Sequence, residues 1–308
     1  DLARYFDRIP HSDLMKSVAR RVVDAQVLSL IKMWLQAPVE ERDKDGTRRM
    51  SGGKGNTVGT PQGGVASPLL ANIYMNRFLK HWRQSGAGEA FRAHVVAFAD
   101  DFVILSRGCA TEALAWTKAV MTKLGLTINE AKTSLRDARK ERFDFLGYQF
   151  GPHYPYKSKV RNYLGASPSK KSVQRLRTNV GELLVPGNQA PWPEVRDELN
   201  SILRGWSNYF CYGTRVAAFR SANHYVRESV RAFLTRRHKV AGRGNRRFAY
   251  EMIYGELGVL NPENLKCAHP DRTAAVLNTH LTPTGESVRK RLSIGDPASN
   301  LATIEQYT

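Results

Sequence analysis

Apolar residues recur three and four positions apart near the start of the chain, where Leu14, Val18, Val22, Ala25 and Leu28 share one side. That period predicts one amphipathic helix, which Ser12 and Asp13 are placed to open. Residues 41 to 60 are polar and Gly-rich and predict a loop. Ser67-Pro68 reads as an N-cap followed by Pro at the first helical position, and Leu70, Ile73, Phe78 and Trp82 carry the helix onward. The pattern then changes. Val95 to Leu105 is an apolar run broken only by Asp100-Asp101, which predicts a strand, an acidic turn and a second strand. Thr111 can start a further helix that ends near Leu124, with Gly125 as its C-cap. Short strand-like runs follow at Leu126 to Ile128 and Phe143 to Phe150. Strands and helices alternate without a regular parallel rhythm, so an α+β layer, with helices on an antiparallel sheet, is expected for residues 1–156.

After Tyr156 helical periodicity replaces strands. Val173, Leu176, Val180 and Leu183 share one face, Val195, Leu199, Ile202 and Trp206 a second, and Phe219, Ala222, Val226, Val230 and Phe233 a third. Val185-Pro186-Gly187-Asn188 breaks the first from the second. A small bundle of three helices is predicted within residues 157–266. Residues 267–308 are polar and rich in Thr, Pro and Ser, and predict no fold.

Charge sharpens this division. Across 308 residues there are 47 Lys and Arg against 28 Asp and Glu, a net charge of +19. Residues 157–247 hold 19 of those cations and only five acids. So concentrated a surplus argues for a polyanionic partner, nucleic acid above all, over a merely solvated surface. No apolar run is long enough to span a membrane and no lipidation motif is present, so no membrane partner is expected. Cys109, Cys211 and Cys267 are far apart in sequence, without zinc or disulfide spacing, which fits a reducing compartment. The first residue is Asp1 rather than Met, with no signal sequence, and further sequence upstream is expected.

Two places carry candidate chemistry. The Asp100-Asp101 turn offers paired carboxylates beside strands, a natural seat for divalent ions, although a solvated Asp-Asp hairpin turn reads the same locally. Asp1, in Asp1-Leu2-Ala3-Arg4-Tyr5-Phe6-Asp7, supplies a third carboxylate. Three such acids suit in-line phosphoryl transfer at two metal ions, provided their strands pair. The second place is Gly59-Thr60-Pro61-Gln62-Gly63-Gly64 ahead of the helix at Ser67. Glycines there let the backbone approach a ligand closely, and Gln62 can both donate and accept hydrogen bonds.

In order and spacing these segments resemble the reverse transcriptases encoded by group II introns. Asp1 to Asp7 resembles the first catalytic palm motif, Thr60 through Asn72 the next block, and Phe98-Ala99-Asp100-Asp101 the Tyr-Ala-Asp-Asp box with Phe in the Tyr position. Gly125 to Thr133 and Phe145-Leu146-Gly147-Tyr148 match the two blocks after it. Leu203-Arg204-Gly205-Trp206-Ser207-Asn208-Tyr209-Phe210, the basic stretch Arg236 to Arg247 and Tyr254 to Leu260 resemble the maturase, or thumb, domain that sets this class apart from retron and retroviral polymerases.

The resemblance implies a right-hand polymerase palm over residues 1–156, its fingers missing upstream, a helical thumb over 157–266, and an unassigned tail over 267–308. It implies that Asp1, Asp100 and Asp101 hold two Mg²⁺ ions and that Lys132 protonates the leaving pyrophosphate. Leu2, Phe6, Gln62 and Gly63 would contact the nucleotide, with the Phe6 ring set against a ribose 2′-hydroxyl. Phe145, Leu146, Gly147 and Tyr148 would grip the primer. Arg204, Arg236, Arg237, Lys239, Arg243, Arg246 and Arg247 would bind RNA. Implied partners are intron RNA, an RNA template with DNA primer, and dNTPs; a homodimer is compatible with the pattern. The implied setting is the bacterial cytoplasm, at the nucleoid during mobility. A non-catalytic RNA-binding splicing factor, or a related polymerase recruited to CRISPR or defence, would share much of this sequence. No His-Asn-His signature or pair of cysteines marks a nuclease.

Overall fold

The structure, a computed structural model, describes residues 2–42, 45–53, 55–61, 63–154 and 163–265. The chain forms two compact units, Asp1–Leu135 and Arg136–Tyr307. Composition changes at Tyr156, whereas packing divides the chain at Leu135. The strands in between therefore belong with the basic helices.

In the first unit α1 (Tyr5–Arg8), α2 (His11–Ala19) and α3 (Ala25–Leu35) precede a hairpin of β1 (Pro38–Arg42) and β2 (Arg48–Gly52). The long helix α4 (Ser67–Gln84) and α5 (Ala87–Ala90) lead to the antiparallel pair β3 (Ala93–Phe98) and β4 (Asp101–Ser106), then to α6 (Ala110–Lys123). The core gathers Ile9, Leu14, Tyr74, Phe78 and Met121, all essentially inaccessible to solvent. Phe78 packs on Phe102 and Trp116 with ring centroids 5.6 and 6.3 Å apart, which binds α4 to β4 and α6. Truncating so enclosed a ring to Ala costs about 3–5 kcal/mol.

Four expectations are corrected, three in this unit and one, at Cys211, in the second. The helix expected through Leu28 is two helices: Asp24 accepts hydrogen bonds from the amides of Gln26 and Val27 and so starts α3 anew. The loop expected over residues 41–60 contains strand, because β1 pairs with β2 from Pro38↔Gly52 to Arg42↔Arg48. Ser67 is the first residue of α4 rather than its cap, and its hydroxyl donates instead to the Pro61 carbonyl at 2.6 Å. Cys109 is free, whereas Cys211 is disulfide-bonded. The cysteine argument for a reducing compartment falls with it.

In the second unit β5 (Phe143–Phe145), β6 (Tyr148–His153) and β7 (Tyr163–Pro168) form an antiparallel sheet in that order. Three helices follow as predicted: α7 (Lys170–Leu183), α8 (Trp192–Tyr209) and α9 (Val216–Arg237). Leu176, Val180, Val195, Leu199, Leu203, Val226 and Val230 meet in its core. The backbone then makes a π-helical turn at Met252–Glu256. Asn200 fastens this segment by donating to the Gly258 carbonyl and accepting from the Leu260 amide, both at 2.8 Å.

Candidate active site and nucleic-acid interface

The segment after Asp1 is the hub of the first unit. Leu2 forms an antiparallel bridge with Ile128, and the Ala3 amide donates to the Thr127 carbonyl at 2.8 Å. Arg8 donates to the Thr127 hydroxyl at 2.6 Å. On another side the Thr60 amide donates to the Phe6 carbonyl at 2.7 Å, and the Gly59 amide to the Ile9 carbonyl at 2.8 Å. A Cβ on Gly59 would lie 3.0 Å from the Asp7 carbonyl oxygen, so only glycine allows this close backbone approach. The Tyr5 hydroxyl donates to the Ala71 carbonyl at 2.6 Å and pins the same segment to α4. Three sequence blocks distant along the chain thus meet on residues 2–9.

The acidic turn projects from β3 and β4. Phe98 pairs with Asp101, leaving Ala99-Asp100 as a two-residue hairpin turn. Ala99 has φ 53°, a left-handed conformation that usually calls for glycine in such a turn. Holding Ala there costs about 1–2 kcal/mol. Val95, Phe102 and Ile104 face the core and fix the hairpin, while Phe98 is 65% exposed. Asp100 is half-buried and Asp101 exposed. Burial pushes the Tyr5 hydroxyl far above its ordinary range; the Tyr74 hydroxyl and the Asp100 carboxylate add to the shift. Asp100 therefore lies within electrostatic reach of the segment that carries Tyr5 and Phe6.

Asp1 and Gln62 lie outside the described residues. Leu2 is buried and Phe6 is half-buried, its ring edge-on to Tyr5. Gly63 is exposed with φ 80°, and the space around it is open, so its conformation rather than crowding asks for glycine. Lys132 is exposed on the turn whose amide bonds the Asn129 carbonyl at 3.1 Å. Among the described residues no three His, Cys, Asp or Glu form a metal-holding group. Asp100 and Asp101 provide hard carboxylate oxygens on a rigid turn, a donor chemistry that fits Mg²⁺.

In the second unit Phe145 pairs with Tyr148, so Leu146-Gly147 is also a two-residue hairpin turn, with φ 48° and 78°. The Ser172 hydroxyl and the Ser169 amide both donate to the Gly147 carbonyl, at 2.8 and 2.9 Å. Tyr148 donates its hydroxyl to the Tyr209 carbonyl at 2.7 Å, and its ring lies 5.0 Å from Phe210. Burial pushes the Tyr148 hydroxyl up to about 12. A groove of about 480 Å³ opens over this turn, walled by Arg175 and Asn179 on α7 and by Ser201, Gly205 and Tyr209 on α8. A second groove of similar size, across Ser201 and Gly205, includes Arg204 and Asn208.

The cations expected to bind RNA divide into two groups. Arg204, Lys239, Arg243 and Arg246 are exposed. Arg236, Arg237 and Arg247 are exposed as well and also serve the fold. Arg237 donates to the carbonyls of Ala190 and Gln189 and lies over the Phe233 ring. Arg236 donates to the Ala232 carbonyl, and Arg247 lies over Phe248. Sequence reading gave no role to Tyr5 or Ser172, and none to Tyr209 beyond its place in a resembling segment. Their hydroxyls reach backbone carbonyls, which no residue pattern records.

Residues 1–150 match the family model described as reverse transcriptase (RNA-dependent DNA polymerase), and residues 173–250 match the group II intron, maturase-specific domain. Residues 1–150 thus match a reverse transcriptase domain and residues 173–250 the maturase-specific domain of group II introns. Its relatives include protein YkfC of Escherichia coli K12, 31% identical over 48% of this chain and 45% of that protein. An uncharacterized 91 kDa protein in the cob intron of Schizosaccharomyces pombe is 22% identical over 69% of this chain and 34% of its own length. The putative COX1/OXI3 intron 1 protein of Saccharomyces cerevisiae is 24% identical over 73% and 36%. The chain thus spans less than half the length of these curated relatives. Among solved structures, telomerase from Candida albicans in complex with a telomeric RNA fragment gives a TM-score of 0.41 at 14% identity, over 85% of this chain and 50% of that one. Apo telomerase from Candida tropicalis gives 0.42 at 13%, over 95% and 52%.

Proposed function

We propose that this chain is the catalytic and RNA-binding part of an RNA-directed DNA polymerase that also binds its parent group II intron RNA to assist splicing and mobility. Residues 1–156 act as the palm and 157–266 as the thumb. One observation carries the reading: residues 2–9 join the Thr60 segment, the Thr127–Ile128 bridge and α4, with Asp100 in electrostatic reach. A nucleotide site needs such convergence, and solvated turns do not require it.

Asp100 and Asp101, with Asp1, are the residues to hold two Mg²⁺ ions. Bound there, the ions would lower the pKa of the primer 3′-hydroxyl and neutralise charge at the phosphate under attack. Phe6 presents a ring edge to the incoming sugar and disfavours a 2′-hydroxyl. Gln62 and Gly63 orient the nucleotide and template, and Lys132 gives a proton to the departing pyrophosphate. Residues 145–148 hold the primer end. The exposed cations Arg204, Arg236, Arg237, Lys239, Arg243, Arg246 and Arg247 bind intron RNA through its phosphates. No helix among the described residues is long and apolar enough to cross a membrane. The proposed workplace is the bacterial cytoplasm, at the nucleoid during mobility.

Primer extension on an RNA template tests the reading. Extension that requires Mg²⁺ and stops on chelation is the expected result. No extension alongside tight intron-RNA binding would instead make the protein a non-catalytic splicing factor.

A further inference from the structure

We propose that Tyr209 is a positioning residue of the turn at Leu146-Gly147, setting where that turn meets the primer. This rests on reading residues 145–148 as the primer-holding turn. The central residues of a two-residue hairpin have carbonyls that lie outside the strand ladder and need other partners. Gly147 finds the Ser172 hydroxyl and the Ser169 amide. Leu146 finds the Tyr209 hydroxyl, which donates to its carbonyl at 2.8 Å. In return Tyr148 donates to the carbonyl of Tyr209 itself at 2.7 Å. The two bonds cross between the turn and the last residue of α8, so neither side can shift or tilt without breaking one.

Packing alone does not account for the ring. Tyr209 is 54% exposed and stands on the wall of the groove that Leu146 and Gly147 line. The next residue, Phe210, is buried and supplies the apolar contact, with its ring 3.2 Å from where a Gly147 Cβ would stand. Tyr209 is left to fix orientation. A nucleic-acid strand entering the groove meets Tyr209 together with Arg175, Asn179 and the turn, so the position of α8 sets the position of the grip.

The test compares Tyr209→Phe with Tyr254→Phe, which removes a hydroxyl bonded to Asn223 in the same unit. The probe is a fluorescent recessed DNA primer on an RNA template, titrated at equilibrium. Tyr209→Phe is expected to raise its Kd about five-fold, the worth of one hydrogen bond. Its KM for primer–template should rise in step while kcat stays near wild type. The melting temperature should fall no further than in Tyr254→Phe. Tyr148→Phe, which removes the return bond, should move primer affinity in the same direction. A Tyr209→Phe protein that melts earlier but holds the primer as tightly as wild type overturns the proposal. Leu146→Ala separates the two layers. If it leaves primer binding intact, the primer-grip reading fails and positioning falls with it; if it weakens binding while Tyr209→Phe does not, positioning alone fails.

Discussion

Two hairpin turns of equal length, Ala99-Asp100 and Leu146-Gly147, are supported in different ways. The first carries its strain in a non-glycine residue at φ 53° and leaves Asp101 and Phe98 facing outward. Its support comes from behind, through Val95, Phe102 and Ile104 in the core. The second is gripped at its tip: both central carbonyls are bonded, and Phe210 and Ser172 crowd Gly147. All four tip residues are half-buried, so the contrast lies in the fastening: the first turn is held through the strands behind it, the second through hydrogen bonds to its own tip carbonyls.

The comparison breaks most sharply at the charge. Asp100→Asn should reduce nucleotide addition by at least about a thousand-fold, since each metal-holding carboxylate contributes several kcal/mol of charge stabilisation. RNA binding should be unchanged in a filter-binding titration; a mutant that still polymerises well would remove Asp100 from the site. Next comes Gly147→Val. A Cβ there meets the Ser172 hydroxyl at 3.0 Å and Phe210 at 3.2 Å, at a φ that L residues avoid. The loss should be about 2–4 kcal/mol in urea unfolding, the sum of left-handed strain and overpacking.

A smaller effect is expected from replacing Arg243 and Arg246 by Ala. RNA affinity should fall, and the slope of log affinity against log salt should flatten by about one for each phosphate no longer neutralised. An unchanged slope would place the RNA surface elsewhere. The smallest change is Ala99→Gly. Release of left-handed strain should leave stability equal or up to about 1 kcal/mol higher. Activity should drop modestly because the acidic turn is freer. A loss of stability would show that Ala99 is packed rather than strained.

Much of the fold was legible because burial leaves a periodic trace. The apolar flanks of Asp100-Asp101 became β3 and β4, Gly125 ended α6 at φ 70°, and three apolar faces became α7, α8 and α9. The trace failed where something other than burial decided. Asp24 starts a new helix by accepting two amides, though the apolar period runs on across it. The β1–β2 hairpin has little apolar alternation and carries cross-strand charges such as Arg48 and Glu40, 3.5 Å apart. The candidate site was half legible. Its acids and glycines stand out by type, but Tyr5, Ser172 and Tyr209 act through single hydroxyls on carbonyls far along the chain.

By itself the sequence determined which residues are chemically able to act: adjacent carboxylates, glycines at close backbone approaches, and a concentrated positive charge. Those properties belong to single residues or short segments and survive being read in one dimension. Tertiary structure alone decided that residues 2–9 join three distant segments, and that Tyr209 and Tyr148 lock the turn between them to the end of α8. The physical reason is directional: a hydrogen bond depends on where a donor and a carbonyl point, and only the folded backbone sets that.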